Sequence, residues 1–557
     1  MNYPVQTRLD VKTPLRDGVL LSADLYLPRV EGSFPTVLIR TPYSNNREDL
    51  ITKGRRLANF GYACVIQDVR GRWDSEGSYY PFHQEGPDGY DTQEWIGQQE
   101  WSNGKVGMAG GSYLGCVQWL SAPLGSPRLV CMAPRVMCND YFRGLFYPGG
   151  AFQLNVAMTW GMRTSAHTAQ EIGWHNWTEA FRTLPVKDMI DLCGGNMPFW
   201  KDWVEHCTDD EYWDRINVER RWGEIAAPAL NMGGWFDLYA KESFDNFNGL
   251  RLHGGSPAAR QSKLIVGPWP HRLSTCTRTG DIDFGAGSLY DLETLELRWF
   301  DYWLKGVENG IVDEPPLKLF IMGVNQWRDE HEWPLARTQW QNWHLHSQGH
   351  ANTLLGDGQL SLEEASDEPA DHFVYDPRYP VQTVGGNNCC SPEIVPWGPY
   401  DQRDVEMRND VLCYTSPPLS EDLEVTGPIR AVIYAATDAT DTDWTAKLVD
   451  VSPSGYAQNL CDGILRARYR QGFGQVKLLE AQQIYEYDIS LGVTGNVFRR
   501  GHAIRLEISS SNFPRFDRNP NTGHPFGQDA ETRPARQTIY HSRQHPSHLV
   551  LPVIPLK

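Results

Sequence analysis

"MAGGSYLGC" (residues 108–116) decides how the rest of the chain is read. The apolar run Lys105-Val106-Gly107-Met108-Ala109 predicts a short buried strand, and it ends on Gly110, Gly111, Ser112, Tyr113, Leu114 and Gly115. A strand that turns sharply into a helix lifts the side chain at the turn clear of the sheet. It also aims the first helix amides at whatever that side chain attacks. Ser112 has the place of such a nucleophile, which still needs a base to remove its proton. Glycines belong beside it because the backbone is strained and neighbouring elements come close. The run is G-G-S-Y-L-G rather than strict G-x-S-x-G, and by itself it fits an ordinary glycine-rich strand–helix turn equally well.

The flanking sequence supplies a setting. "VLLSADLYLP" (19–28), "FPTVLIRTPYS" (34–44), "GYACVIQDVRG" (61–71) and "RLVCMAPRV" (128–136) read as strands, with helices at 88–99 and from about 113 to 122. Strand and helix in alternation predict an α/β class with a mostly parallel sheet covered on both faces. Residues 140–225 lose the β-branched runs and carry seven tryptophans, which predicts a helical cap inserted into the α/β domain. "PALNMGGWFD" (228–237) and "SKLIVGPWPH" (262–271) resume the strands, and 289–306 has the apolar spacing of a final covering helix. From about 345 onward short strands alternate with Gly, Pro and Asp turns, the pattern of an all-β sandwich. Residues 356–373 read as an exposed linker. The predicted domains are therefore 1–139 and 226–344 (α/β), 140–225 (cap) and 345–557 (β-sandwich).

Two later strand ends carry the partners a serine needs. "NMGGWFD" ends at Asp237 and "IVGPWPH" at His271, in the chain order Ser, acid, His. His271 would take the Ser112 proton, and Asp237 would hold the imidazole tautomer. The oxyanion that develops on a substrate carbonyl needs preformed donors. The Tyr113 amide is one by position, and the Tyr43 phenol, in "TPYS" after an earlier strand, is a second candidate. Trp160 and Trp174 of the insertion, with Trp235 beside the candidate acid, are candidate lining residues of an acyl pocket, against helix packing as the competing role. Asp209-Asp210-Glu211 fits either a substrate ammonium site or a solvated helix start. "TDATDTDW" (437–444) fits a calcium loop or plain turn chemistry, and "HSRQHPSHL" (541–549) reads as a surface turn.

Composition bounds the partners. The chain has 557 residues, too many for one core, with 40% hydrophobic and 22% charged residues. A net charge of −18 disfavours nucleic acid and anionic membranes. No run of about 18 apolar residues exists and the start lacks an apolar h-region, so neither a membrane span nor a signal peptide is expected. The 11 cysteines form no C-x-x-C pair, which predicts reduced thiols, a cytoplasmic location and no metal site. No cofactor motif is present, so no cofactor is expected.

"RTPYSNN" (40–46), "QDVRGRWDSEGSYYPF" (67–82), "EGPDGYDTQEWIGQQEWSNGKVGMAGGSYLG" (85–115), "GGWFDLYAKESFDNF" (233–247) and "VGPWPHRLS" (266–274) resemble the cocaine esterase-like serine hydrolases. That family is related to X-Pro dipeptidyl-peptidases, α-amino acid ester hydrolases and glutaryl-cephalosporin acylases. Residues 436–470 resemble its C-terminal jelly roll. The resemblance implies an α/β-hydrolase fold with an inserted helical cap and a jelly-roll sandwich. It carries the nucleophile to Ser112, the acid to Asp237, the base to His271, and the oxyanion hole to the Tyr43 hydroxyl and the Tyr113 amide. It implies cleavage of a small-molecule carboxylic ester through an acyl-enzyme, in a homodimer. An amidase or acylase acting on a β-lactam side chain or an N-terminal dipeptide is the alternative. An inert carbohydrate-binding protein is the remote one.

Overall fold

The structure is a computed structural model that describes residues 3–172 and 176–555. Ten strands form the first sheet, in the spatial order Val5–Pro14, Leu20–Pro28, Ala63–Asp68, Phe34–Thr41, Ser102–Gly111, Leu129–Arg135, Leu230–Gly234, Lys263–Gly267, Leu317–Ile321 and Gln326–Glu330. The run from Ala63–Asp68 to Leu317–Ile321 is parallel, and the strands beyond it on both edges are antiparallel. The parallel strands read as near-continuous apolar runs because helices cover both of their faces. Those helices include Glu48–Asn59, Glu85–Gly97, Tyr113–Ser121, Ala240–His253 and Leu292–Lys305. The last opens on Asp291, whose carboxylate accepts from the Thr294 amide, and stops at left-handed Gly306.

The insertion between Leu129–Arg135 and Leu230–Gly234 is made of short helices, the longest being Leu154–Thr164. Its aromatic residues pack on one another: Trp203 lies 4.3 Å from Phe146 and 4.6 Å from Phe199, centroid to centroid. Asp210 caps the helix Glu211–Asp214 through the Tyr212 amide, and Asp209 pairs with Arg220, so this acidic run is a helix start.

Twelve strands make the C-terminal β-sandwich. Its sheet begins at Gln339–His346, ahead of the boundary read at 345. The stretch 356–373 is not a linker: Gln359–Ser361 and Asp371–Tyr375 both pair into the sheet. The alternation there is too short for sequence periodicity to separate a strand from a turn. His541 is likewise no surface residue. It is fully buried with Nε2 2.9 Å from Asp371.

The sandwich and the α/β unit share an apolar core. Trp235, Phe236 and Phe320 pack in one cluster with Ile433, Trp444 and Val493. Trp235 is therefore a core residue and not part of the pocket. Its indole N–H donates to the Phe320 carbonyl at 2.7 Å, its ring stacks on Phe244, and the Gly495 backbone sits so close that a Cβ there would meet the indole at 2.7 Å. Trp174 lies outside the described residues.

Buried charges fasten the junction. Arg466 pairs with Asp443 at 2.9 Å and Asp517 at 2.8 Å, and Asp517 accepts the Phe152 amide of the insertion at 2.9 Å. Arg468 takes Asp441 at 2.8 Å. The carboxylates of "TDATDTDW" that looked like calcium ligands thus hold arginines. A cavity of about 320 Å³ lies at the same junction, lined in part by Asp140, Glu219 and Glu242. Burial pushes the Glu242 carboxyl up to about 8. No described helix is long and apolar enough to cross a membrane.

Two outcomes follow. Arg466→Met leaves two buried carboxylates unpaired and should cost about 3–5 kcal/mol in urea unfolding; an unchanged midpoint would show that this triad does not hold the junction. Glu242 keeps its proton in the folded state far above its unfolded pKa. Its contribution is therefore complete at acid pH and lost as pH rises through about 8. Glu242→Gln should flatten that decline in melting temperature between pH 6 and 9, and equal slopes would refute it.

Candidate active site

Every polar candidate sits just past the C-terminal end of a parallel strand, the rim where open α/β sheets place their chemistry. Ser112 follows Ser102–Gly111 with φ 56° and ψ −128°, a left-handed backbone that a non-glycine residue adopts at a cost. Its own amide donates to the Arg135 carbonyl at 2.9 Å, and its carbonyl accepts from Gly115 and Cys116, which starts the helix. The glycines make the turn possible. A Cβ on Gly110, itself at φ 135°, would lie 2.4 Å from the Leu114 Cβ, and one on Gly115 would lie 3.1 Å from the Arg135 carbonyl oxygen.

Asp237 and His271 meet: Oδ2 lies 2.5 Å from Nδ1. The other carboxylate oxygen accepts the Tyr239 amide at 2.7 Å, so Asp237, fully buried, is held at both oxygens. With Nδ1 engaged, Nε2 is the ring nitrogen left to face a nucleophile. Tyr239, which lines the same pocket as Ser112, packs against His271 with ring centroids 5.9 Å apart.

The Tyr43 phenol lines the same pocket as Ser112 and accepts the Trp160 indole N–H at 2.8 Å. Burial holds this phenol above its usual range, so it stays protonated and able to donate at neutral pH. Its loop is clamped from behind. The Pro42 carbonyl accepts Arg72 Nε at 2.9 Å and Trp73 Nε1 at 3.1 Å. The Tyr113 side chain turns away from the pocket mouth: its hydroxyl donates to Glu85 at 2.8 Å and accepts the Phe82 amide at 3.0 Å. That anchors the residue whose amide opens the helix, one of the donors a helix start leaves unused. The pocket wall is apolar: Phe82, Met137, Leu145, Phe146, Val156 and Trp160 line it, with no carboxylate among the described lining residues. Trp160 stacks on Phe82 at 5.6 Å and on Tyr113 at 5.9 Å.

One segment of the site was missed in the sequence. "GGNNCC" (385–390), far along the chain, reaches back to the rim. Asn387 Nδ2 donates to the carbonyls of Trp235 and Asp237, each at 2.9 Å, and so braces the turn that carries the acid. Cys389 and Cys390 are joined in a disulfide, which corrects the expectation of reduced thiols throughout, and Cys390 lines the pocket. Adjacent cysteines have none of the spacing that marks a ligand pair in sequence. The run of turn residues was the only local signal.

A strained serine at a strand–helix elbow and an acid–imidazole pair on the same rim are the groups that a serine hydrolase of the α/β-hydrolase fold requires. Comparison narrows the class. Residues 17–272 match the X-Pro dipeptidyl-peptidase (S15 family) model, and 309–550 match the X-Pro dipeptidyl-peptidase C-terminal non-catalytic domain. Cocaine esterase of Rhodococcus sp. (strain MB1 Bresler) is 38% identical, covering 99% of each chain. An aminopeptidase from the marine sediment archaeon Thaumarchaeota archaeon superposes with a TM-score of 0.86 at 25% identity, covering 100% of this chain and 97% of that one. An α-amino acid ester hydrolase does so with 0.83 at 26%, covering 99% and 97%. The chain belongs to the cocaine esterase-like serine hydrolases.

Trp160→Phe keeps the stacked ring and removes the N–H that orients Tyr43. On an ester that the wild type cleaves, kcat should fall about 3- to 10-fold with KM little changed, the size of one neutral hydrogen bond. An unaltered kcat would show that Tyr43 needs no such support.

Proposed function

We propose that the chain cleaves carboxylic esters with an apolar or aromatic acyl group, through an acyl-enzyme on Ser112. The observation that carries this reading is the 2.5 Å bond between Asp237 and His271 beside the Ser112 pocket. It holds Nδ1 as the donor and leaves Nε2 as the base. Ser112 Oγ attacks the substrate carbonyl as His271 takes its proton. The negative oxygen is received by the Tyr43 hydroxyl, poised by Trp160, and by the Tyr113 amide at the helix start. His271 then returns the proton to the leaving alcohol. Water, deprotonated by the same nitrogen, releases the acid and restores the serine. The elbow lifts Oγ off the sheet toward the pocket, and the aromatic wall excludes water from the acyl group. We also read the enzyme as a cytoplasmic homodimer.

The match to X-Pro dipeptidyl-peptidases and the aminopeptidase likeness favour amide cleavage as a second reading. A peptide with a free amino terminus needs an acidic anchor, and the described pocket wall offers none. That supports esters over dipeptides.

Ser112→Ala should remove turnover and fluorophosphonate labelling together while the protein stays folded. Wild-type rates in that variant would end the reading. Tyr43→Phe should lower kcat by about 10²–10³ with little change in KM, the loss expected for one oxyanion donor. A panel of esters and amides sharing one acyl group separates the two readings. Esters cleaved and amides not supports the first, and the reverse supports the second.

A further inference from the structure

We propose that Cys389, Cys390 and His271 form a redox-gated binding site for a thiophilic divalent cation of the Zn²⁺ type, and that filling it silences the hydrolase. The second half rests on His271 being the base for Ser112.

The Sγ atoms of Cys389 and Cys390 and a ring nitrogen of His271 all lie within 4.8 Å of one another. Two thiolates and an imidazole, with water in the fourth position, are a donor set that zinc takes in proteins. Metal–sulfur bonds of about 2.3 Å and metal–nitrogen bonds of about 2.0–2.1 Å require donors about 3.5–3.8 Å apart in a tetrahedron. The two sulfurs, bonded to each other in the oxidised chain, must part to that spacing once reduced, and the imidazole nitrogen already lies within 4.8 Å of both. The surroundings hold it in place. Asn387 ties the loop to the strand end that carries Asp237, the Ser391 amide donates to the Cys389 carbonyl at 2.9 Å, and Arg163 of the insertion reaches the Cys390 carbonyl at 3.4 Å. Cys389 is buried, and half-buried Cys390 lines the Ser112 pocket.

The gate is the sulfur–sulfur bond. While it is intact neither sulfur is a thiolate ligand. A dithiol reductant breaks it by exchange: two cysteine thiols form, and the reductant leaves as its own disulfide. A divalent cation then displaces both thiol protons and accepts the imidazole lone pair, releasing two protons to water. A coordinated imidazole nitrogen cannot take the proton of Ser112. The oxidised chain is therefore active in the presence of the metal and the reduced chain is not.

The test reduces the full chain with dithiothreitol, removes the reductant by gel filtration, and titrates Co²⁺ and then Zn²⁺. The reduced wild type should bind one Co²⁺ per chain with a near-ultraviolet thiolate-to-cobalt absorption, lose that band to Zn²⁺, and lose about tenfold or more of its ester hydrolysis at one equivalent of Zn²⁺. The oxidised wild type should show neither effect. Reduced Cys389→Ser should lack the band and hold its own metal-free rate. The same band or the same inhibition in oxidised and reduced chains, or a band that persists in Cys389→Ser, overturns the proposal. So does a reduced chain that binds no cobalt. Comparing the two redox states of the wild type decides the question even if the variant fails to fold. A band that forms in a chain hydrolysing no ester sinks the ester reading and leaves the metal site standing. A band with undiminished hydrolysis overturns the silencing.

Discussion

Everything at the active rim depends on one residue kept in a backbone conformation it would not choose. Ser112 is left-handed at the junction of a buried strand and a buried helix. The cost, of order 1–3 kcal/mol, is borne because its surroundings over-determine it. The amide is tied to the neighbouring strand, the carbonyl starts the helix, and Gly110 and Gly115 leave room for Leu114 and for the backbone after Leu129–Arg135. A hydroxyl on a relaxed turn would lie down on the sheet, away from both the imidazole and the helix amides.

Around that point the chain builds its electrostatics from buried neutral donors rather than from free charge. The Tyr43 phenol, raised by burial and braced by the Trp160 indole, remains a proton donor. The carboxylates close by have partners: Glu85 pairs with Arg40 at 2.9 Å, and Asp237 holds the His271 ring. Fixed dipoles act most strongly on a charge that is enclosed by apolar walls.

The β-sandwich belongs to the same machine. Its connecting loop supplies Asn387 to the carbonyls of Trp235 and Asp237, and Cys390 to the pocket edge. Its strands bury Trp235 and its arginine–carboxylate triad anchors the insertion.

Local sequence determined the elements whose cause is local: the apolar strands, the glycine-rich elbow at 108–116, and acid and histidine at later strand ends. Those signals lie within a few residues and follow from steric rules and periodicity, so Ser112, Asp237 and His271 could be named as candidates before any coordinates. Trp160 was legible only as one tryptophan among seven. Whether an indole packs or donates depends on what faces it, and here that is Tyr43, more than a hundred residues away. Tertiary structure alone decided that Trp235 is core, that 356–373 contributes strands, and that Asn387, Cys389 and Cys390 stand beside residues 237 and 271. These outcomes hang on contacts between segments distant in sequence, and neither composition nor spacing carries information about which distant surfaces will meet.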